Sequence, residues 1–222
     1  MKIQSEGVEI VRNCVSHELV CQLIAALPEA QANTRSALNI ASVAELAQSL
    51  TIRKWIGPLL GEECFAVRAL LFNKSPNSNW KVAWHQDCVI AVREQTNLPG
   101  WGPWSKKLGV PHVRPPVPLL NRMVAIRIHL DDCGIENGPL RVLPGTHTRG
   151  LLSDSDINAL SKDSQVVCAV HRGDAILMRP LLVHASSAAR EPANRRVIHI
   201  EFAIDELPQG LAWHDRVGGL QN

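Results

Sequence analysis

The chain has 222 residues, 45% of them hydrophobic and 20% charged, which is enough apolar material for a substantial core and too little charge for a disordered chain. One domain over 1–222 fits this length, and two would be cramped. Twenty-three Lys and Arg against 21 Asp and Glu leave a formal net charge of +2, without the basic excess of a nucleic-acid binder.

The opening residues Met1 to Gly7 lack the apolar stretch of a signal peptide. No segment offers the ~18 uninterrupted apolar residues of a spanning helix. The expectation is a cytoplasmic protein without membrane or nucleic-acid partners, its oligomeric state left open. Ser16 stands before a helical stripe of Leu19, Val20, Leu23, Ile24 and Leu27 that ends at Pro28. A second helix is expected from Ser42, because Ser42 to Glu45 has capping-box spacing and Val43, Leu46 and Leu50 supply a buried side. The helical part thus covers about 14–61. From Phe65 to about 205 the pattern turns to short apolar runs with period-two alternation: 65–72, 80–84, 124–130, 165–170, 175–178, 181–185 and 197–204. Turn signals such as Glu136-Asn137-Gly138-Pro139 and Arg172-Gly173-Asp174 separate them. Helices first and strands afterwards predict an α+β, mainly β fold, a sandwich or jelly roll with N-terminal flanking helices. Residues 93–120, with six prolines, Trp101 and Trp104, read as a long loop without periodicity of its own, either a lid or a surface excursion. The six cysteines, Cys14, Cys21, Cys64, Cys88, Cys133 and Cys168, are scattered singly and read as free thiols in a reducing compartment.

The chemistry is concentrated in a few of the nine histidines. In Trp84-His85-Gln86-Asp87, strand alternation puts His85 and Asp87 on one face. The pair alone reads first as a hydrogen-bonded surface pair and only second as a metal grip, because a chain with nine histidines contains chance matches. Far along the chain a tight Gly173-Asp174 turn leads into strands that deliver His184, with Ser186 of the same parity, and Arg195 eleven residues beyond. Two imidazoles and one carboxylate on one face of an octahedron leave three positions free, the arrangement of non-haem Fe(II) oxygenases. A 2-oxo acid can occupy two of these and leave one for O2. Its far carboxylate then needs a cation, and the planar guanidinium of Arg195 offers matching paired donors.

These residues, together with Leu130-Asp131-Asp132 and Glu136-Asn137-Gly138-Pro139-Leu140-Arg141-Val142-Leu143-Pro144-Gly145-Thr146-His147, resemble the phytanoyl-CoA dioxygenase family of Fe(II)- and 2-oxoglutarate-dependent oxygenases. The resemblance runs in order over about 65–205. It implies a double-stranded β-helix, a cupin-like jelly roll. It further implies iron held by His85, Asp87 and His184 as the catalytic centre, and 2-oxoglutarate bound by Arg195 and Ser186 with Lys74 approaching it. The implied reaction oxidises a small-molecule substrate and releases succinate and CO2. Family members that halogenate have a small residue at the carboxylate position, so Asp87 points to hydroxylation. Two rivals predict something different: a cupin-type enzyme without 2-oxoglutarate would add a third imidazole from His129, His147 or His199, and a non-catalytic binding jelly roll would lack a ligand.

Other positions carry narrower expectations. Arg196 adjoins Arg195, and a one-residue slip would exchange their faces. His147 is expected to fix a loop, and Asn137 and Gly138 to shape a turn. Arg127, His129, His199 and Glu201 alternate with apolar residues and either line the cavity or face water, with Arg127 and His129 assigned inward. His17, His112, His171 and His214 are assigned to the surface. Trp101 and Trp104 either wall the substrate site or pack over the core, and Lys106, Lys107 and Arg114 would suit an anionic substrate.

Overall fold

The structure, a computed structural model, describes residues 1–27, 34–162, 164–208 and 210–219. The chain runs through α1 (Ile3–Glu6), β1 (Val8–Val11) and α2 (His17–Ala26), then a 3-10 turn at Ala37–Asn39, α3 (Ala41–Gln48) and α4 (Leu50–Leu60). Strands follow: β2 (Phe65–Lys74), β3 (Val82–His85), β4 (Ile90–Ala91), β5 (Trp104–Lys107) and β6 (Val110–Val113). Then come α5 (Val117–Asn121), β7 (Met123–His129), β8 (Leu140–Val142), α6 (Asp154–Leu160), β9 (Val166–Cys168), β10 (Ala175–Met178), β11 (His184–Ser186) and β12 (Arg195–Ala203). All six cysteines are unpaired. Among the described residues no helix is long and apolar enough to cross a membrane.

Ser16 caps α2 as its position predicts, the hydroxyl accepting from the Leu19 amide at 3.1 Å. Pro28 lies outside the described residues. The capping box at Ser42 does not form. The 3-10 turn feeds the chain into α3 earlier, with the Val43 and Ala44 amides already donating to the Ile40 carbonyl. Ser42 is therefore inside the helix, its buried hydroxyl without a partner.

The strands form the expected jelly roll. A five-stranded antiparallel sheet has the order β1-β10-β7-β12-β2, and a four-stranded sheet the order β3-β11-β8-β9. Val8, Ala125, Ile176 and Met178 of the larger sheet pack against Leu140, Val142 and Cys168 of the smaller, closing one end of the interior. β1 was not anticipated, because its four residues lie ahead of the helices and gain their partner, β10, only from the far end of the chain.

The larger sheet has two unlike faces. Ala69, Leu71, Ile126, Ile128, Leu177, Ile198 and Ile200 face outward and are covered by Val20 and Leu23 of α2, Val43 and Leu46 of α3, and Ile52 and Ile56 of α4. Alternation sends the intervening residues, among them Arg68, Phe72, Arg127, Arg195 and His199, to the interior. A bulge on β2 adjusts this phase. Glu201 pairs with Arg68 but Phe202 pairs with Ala66, so Val67 is an extra residue opposite β12.

The expectation of an unstructured loop at 93–120 is overturned. β5 and β6 form a hairpin with β4 on its other side, in the order β4-β6-β5, and α5 follows. The strands escape a periodicity search because they are four residues long, polar on β5, and interrupted by Pro111. Trp101 and Trp104 pack over the cluster around Val113, Leu120 and Trp213 rather than walling the cavity.

Candidate metal centre

β3 and β11 are neighbours in the smaller sheet, and their register sets His184 directly opposite His85. The imidazole centroids are 4.2 Å apart. Each ring is oriented from behind: His85 Nδ1 lies 2.8 Å from the Ala83 carbonyl and His184 Nδ1 2.9 Å from the Leu182 carbonyl. Both Nδ1 atoms therefore carry the proton and donate it to the backbone, leaving both Nε2 lone pairs directed at the same space. Asp87 closes the triangle, with Oδ1 3.7 Å from His85 Nε2 and Oδ2 3.6 Å from His184 Nε2. All three ligand atoms fall within 4.8 Å of one another. Ligand atoms ~2.1 Å from a common centre and at right angles stand about 3 Å apart, so the triangle suits one metal ion bound on one face. Burial pushes the His184 imidazole down to about 4. Burial would raise the Asp87 carboxyl, but the facing His184 and His85 rings carry it down to about 2. The centre thus has a neutral His184 imidazole and an ionised Asp87 carboxylate at neutral pH.

Asp87 is held by a residue that sequence reasoning passed over. Gln86 points away from its neighbours, is buried, and bonds at both ends: Nε2 donates to the Leu181 and Gly150 carbonyls at 2.7 and 2.9 Å, and Oε1 accepts from the Leu152 amide at 2.9 Å. The Asp87 amide also donates to the Pro180 carbonyl at 2.9 Å. The middle residue of the H-x-D pair therefore ties the aspartate to the segment that leads into His184. Its signal was present in the parity that separates it from His85 and Asp87. Thr146 does similar work on the other side, its hydroxyl accepting from the Val183 amide at 2.9 Å.

The triangle opens into a cavity of about 540 Å³ between the sheets, lined in part by Phe72, Trp80, Arg127, Ser186, Arg195 and His199. Arg195 and Lys74 are direct partners across β12 and β2. Arg195 is buried and donates through Nη1 to the Gly138 carbonyl, while its Nε has no partner. Gly138 can occupy this spot because its backbone is left-handed, with φ 60°, and an added Cβ would stand 2.5 Å from the Ser187 carbonyl oxygen. Lys74 donates to the Ser187 carbonyl at 2.6 Å and to the Ser186 hydroxyl at 3.3 Å. Burial, joined by the neighbouring Arg195 and Arg127, pulls its ammonium down to about 8. Burial, with Arg195 adding repulsion, likewise pulls Arg127 down to about 10. Three cations thus cluster at one end of the cavity, Arg127 and Arg195 in its lining and Lys74 buried outside that lining. The register question at 195–196 has a geometric answer: Arg196 leaves the cavity and pairs with Asp131 through Nε and Nη2 at 2.9 and 2.6 Å.

The remaining expectations divide. His147 Nε2 lies 3.3 Å from the Gln4 carbonyl and tethers the loop after β8 to α1, as anticipated. Arg127 and His199 line the cavity, and Glu201 is buried against Arg68 at 3.2 Å. His129 is buried with both ring nitrogens unpartnered, and burial holds its imidazole down at about 3, but it does not reach the cavity lining. His17 and His171 are exposed, whereas His112 is buried on the β5–β6 hairpin and His214 is half-buried, so their surface assignment fails with the loop that was expected to carry His112. Lys107 and Arg114 line the cavity and Lys106 does not. Among the described residues the metal-competent group contains no third imidazole and lacks none of its three members, which removes the observation either rival needed.

The profile of the family "Phytanoyl-CoA dioxygenase (PhyH)" matches residues 3–197. No curated protein matches the chain as a relative. Among solved structures the fold is similar to the epimerase SnoN from nogalamycin biosynthesis in complex with Fe3+, alpha ketoglutarate and nogalamycin RO, at 14% identity and TM-score 0.69 over 100% of this chain and 93% of that one. It is similar to the carbocyclase SnoK from the same biosynthesis, at 14% identity and TM-score 0.70 over 99% and 91%. It also resembles EctD from S. alaskensis with 2-oxoglutarate and 5-hydroxyectoine, at 18% identity and TM-score 0.68 over 91% and 73%.

Proposed function

The chain belongs to the phytanoyl-CoA dioxygenase family, it is a non-haem iron- and 2-oxoglutarate-dependent oxygenase, and we propose that it hydroxylates a small molecule at a centre made of His85, Asp87 and His184. The observation that carries this reading is the triangle itself: two Nε2 lone pairs and one carboxylate converge, with both Nδ1 atoms already spent on backbone carbonyls. The donor set fits ferrous iron, and the orphaned Arg195 Nε beside a depressed Lys74 fits a carboxylate that would neutralise them.

When bound, iron and 2-oxoglutarate supply the oxidising power: O2 and the 2-oxo acid become succinate, CO2 and one oxygen atom inserted into a substrate C–H bond. The chain's own residues do the rest. The Ala83 and Leu182 carbonyls keep both imidazoles in the tautomer that presents Nε2. Gln86 fixes the backbone on which Asp87 sits. In our reading Arg195 and Lys74 receive the far carboxylate of the cosubstrate, with the Ser186 hydroxyl as a further donor, while Phe72 and Leu70 exclude water beside it. The guanidinium of Arg195 is already steered by Gly138, so little freedom is lost when the anion arrives. Asp87 fills the third protein position with a carboxylate, which favours hydroxylation over halide transfer.

The test is anaerobic titration with Fe(II) and then 2-oxoglutarate, followed by visible absorption. A charge-transfer band is expected in the parent protein, absent in Asp87→Ala and His184→Ala, and strongly weakened in Arg195→Ala. A parent protein without the band would overturn the reading. Product mass then reports whether one oxygen has been gained.

A further inference from the structure

The cavity continues well beyond the cosubstrate end. Along the β2–β12 ladder, Lys74 pairs with Arg195 at one end and Arg68 with Glu201 at the other. Six residues of strand separate them, about 20 Å at ~3.3 Å per residue. Cations gather again at this second end, from four separate stretches of chain: Arg35 ahead of α3, Arg68 on β2, Lys107 on β5, and Arg114 just past β6 all line the cavity. Arg35, Arg68 and Lys107 also line an adjoining recess of about 300 Å³.

Their counter-charges are missing. Among the described residues, only Arg68 of the four has an ion pair, with Glu201. The lining offers two carboxylates, Asp87, turned to the imidazoles, and Asp154 at the start of α6. In the recess Asp215 stands 3.8 Å from His214. Arg68, 8% exposed, and Arg114 each have a buried Nε without a partner. Burial and the repulsion of Arg68 and Arg35 depress the Lys107 ammonium, so these cations strain against one another. Arg35 is exposed, but Arg68 is buried and Lys107 and Arg114 are half-buried, and donors of one sign with so few counter-charges are costly to desolvate unless a ligand completes them.

We propose that this end of the cavity binds an oxyanion carried by the substrate, a carboxylate or a phosphate ester, through Arg35, Arg68, Lys107 and Arg114. The inference rests on the oxygenase reading and names the substrate class of the same site: a small molecule with its reacting C–H bond near the triangle and an anionic group remote from it. The cosubstrate's own anchor, at the Lys74 end of the ladder, does not serve this position.

The test uses full-length protein holding Fe(II) and 2-oxoglutarate under nitrogen, so that the cosubstrate cations are already engaged. Phenyl phosphate, benzoate and benzyl alcohol, which share an aromatic body and differ in charge, are titrated while Tm and intrinsic tryptophan fluorescence are followed. Either anion is expected to bind about tenfold or more tightly than the alcohol. Arg114→Gln and Lys107→Gln, on different elements, should each remove most of that advantage and leave the charge-transfer band unchanged. Preference for phenyl phosphate identifies a phosphate ester, and preference for benzoate a carboxylate. Anions that bind no better than benzyl alcohol, or equally well to the Arg114→Gln/Lys107→Gln double variant, overturn the proposal. A missing charge-transfer band in the parent is the separate failure of the oxygenase reading. Repeating the titrations without iron then shows whether the oxyanion site stands by itself.

Discussion

Ile126 and Arg127 are neighbours on β7, as Ile198 and His199 are on β12. In each pair the first is buried under the helices and the second lines the cavity. One face of the sheet is apolar and filled, and its side chains gain from one another. The other gathers Arg68, Arg127, Arg195, Lys74 and His199, with several polar atoms left unpartnered. The first face contributes stability and the second gives up stability in exchange for ligand binding. Substitutions on the two faces should therefore move different observables.

The largest effect is expected on the filled face. Ile126→Ala deletes a fully buried side chain and should cost about 4 kcal/mol in unfolding free energy, measured by urea denaturation, with little change in the charge-transfer band of the protein that remains folded. Equal losses in band and stability would break the contrast. On the cavity face, Arg195→Ala should weaken 2-oxoglutarate binding about 100-fold, or about 3 kcal/mol. The thermal midpoint of the ligand-free protein should hold or rise, because Lys74 and Arg127 lose a repelling neighbour.

A pH series probes the same face. His129 is held neutral by burial, its imidazole at about 3 against an ordinary 6.5. As pH falls below 6.5 the unfolded chain takes up a proton and the folded one does not, so stability is lost progressively from 6.5 towards 3. His129→Leu should flatten that slope in urea midpoints across the window, and a variant with the parent's slope would place the acid sensitivity elsewhere. The smallest effect sharpens the comparison most. Arg196→Gln breaks a partly exposed ion pair with Asp131 and should cost about 1 kcal/mol while cosubstrate affinity stays at the parent's value, one residue away from the position where it collapses.

The same comparison explains what could be read in advance. His85 and Asp87 announced themselves by sharing parity, and His184, Ser186 and Arg195 by polar side chains set into apolar strands, because a jelly roll with an internal site must write both faces into each strand. Arg35 and Arg68 were missed as cavity residues: Arg35 lies ahead of α3, outside the strands, and Arg68 sits beside a bulge that resets the alternation. The β5–β6 hairpin went unread because it pairs short polar strands by backbone bonds, which leave no hydrophobic period. Ser42 misled because a capping pattern specifies a helix start only when nothing upstream has already begun the helix.

The bulge at Val67 absorbs one extra residue of β2 without disturbing which side of the strand faces the chamber. Loss of Val67 alone would join Ala66 to Arg68 as regular partners of Phe202 and Glu201 and leave every later face unchanged. Loss of Leu70, past the bulge, would instead turn Phe72 and Lys74 into the helical layer and deliver Leu71 to the chamber. Exchange of amino-acid type along this strand is therefore a local event, and a change of length is tolerated at the bulge but inverts the wall when it falls beyond it. Sequence divergence in descendants of this gene should accumulate beyond the bulge as replacements, with changes of length confined to the position of Val67.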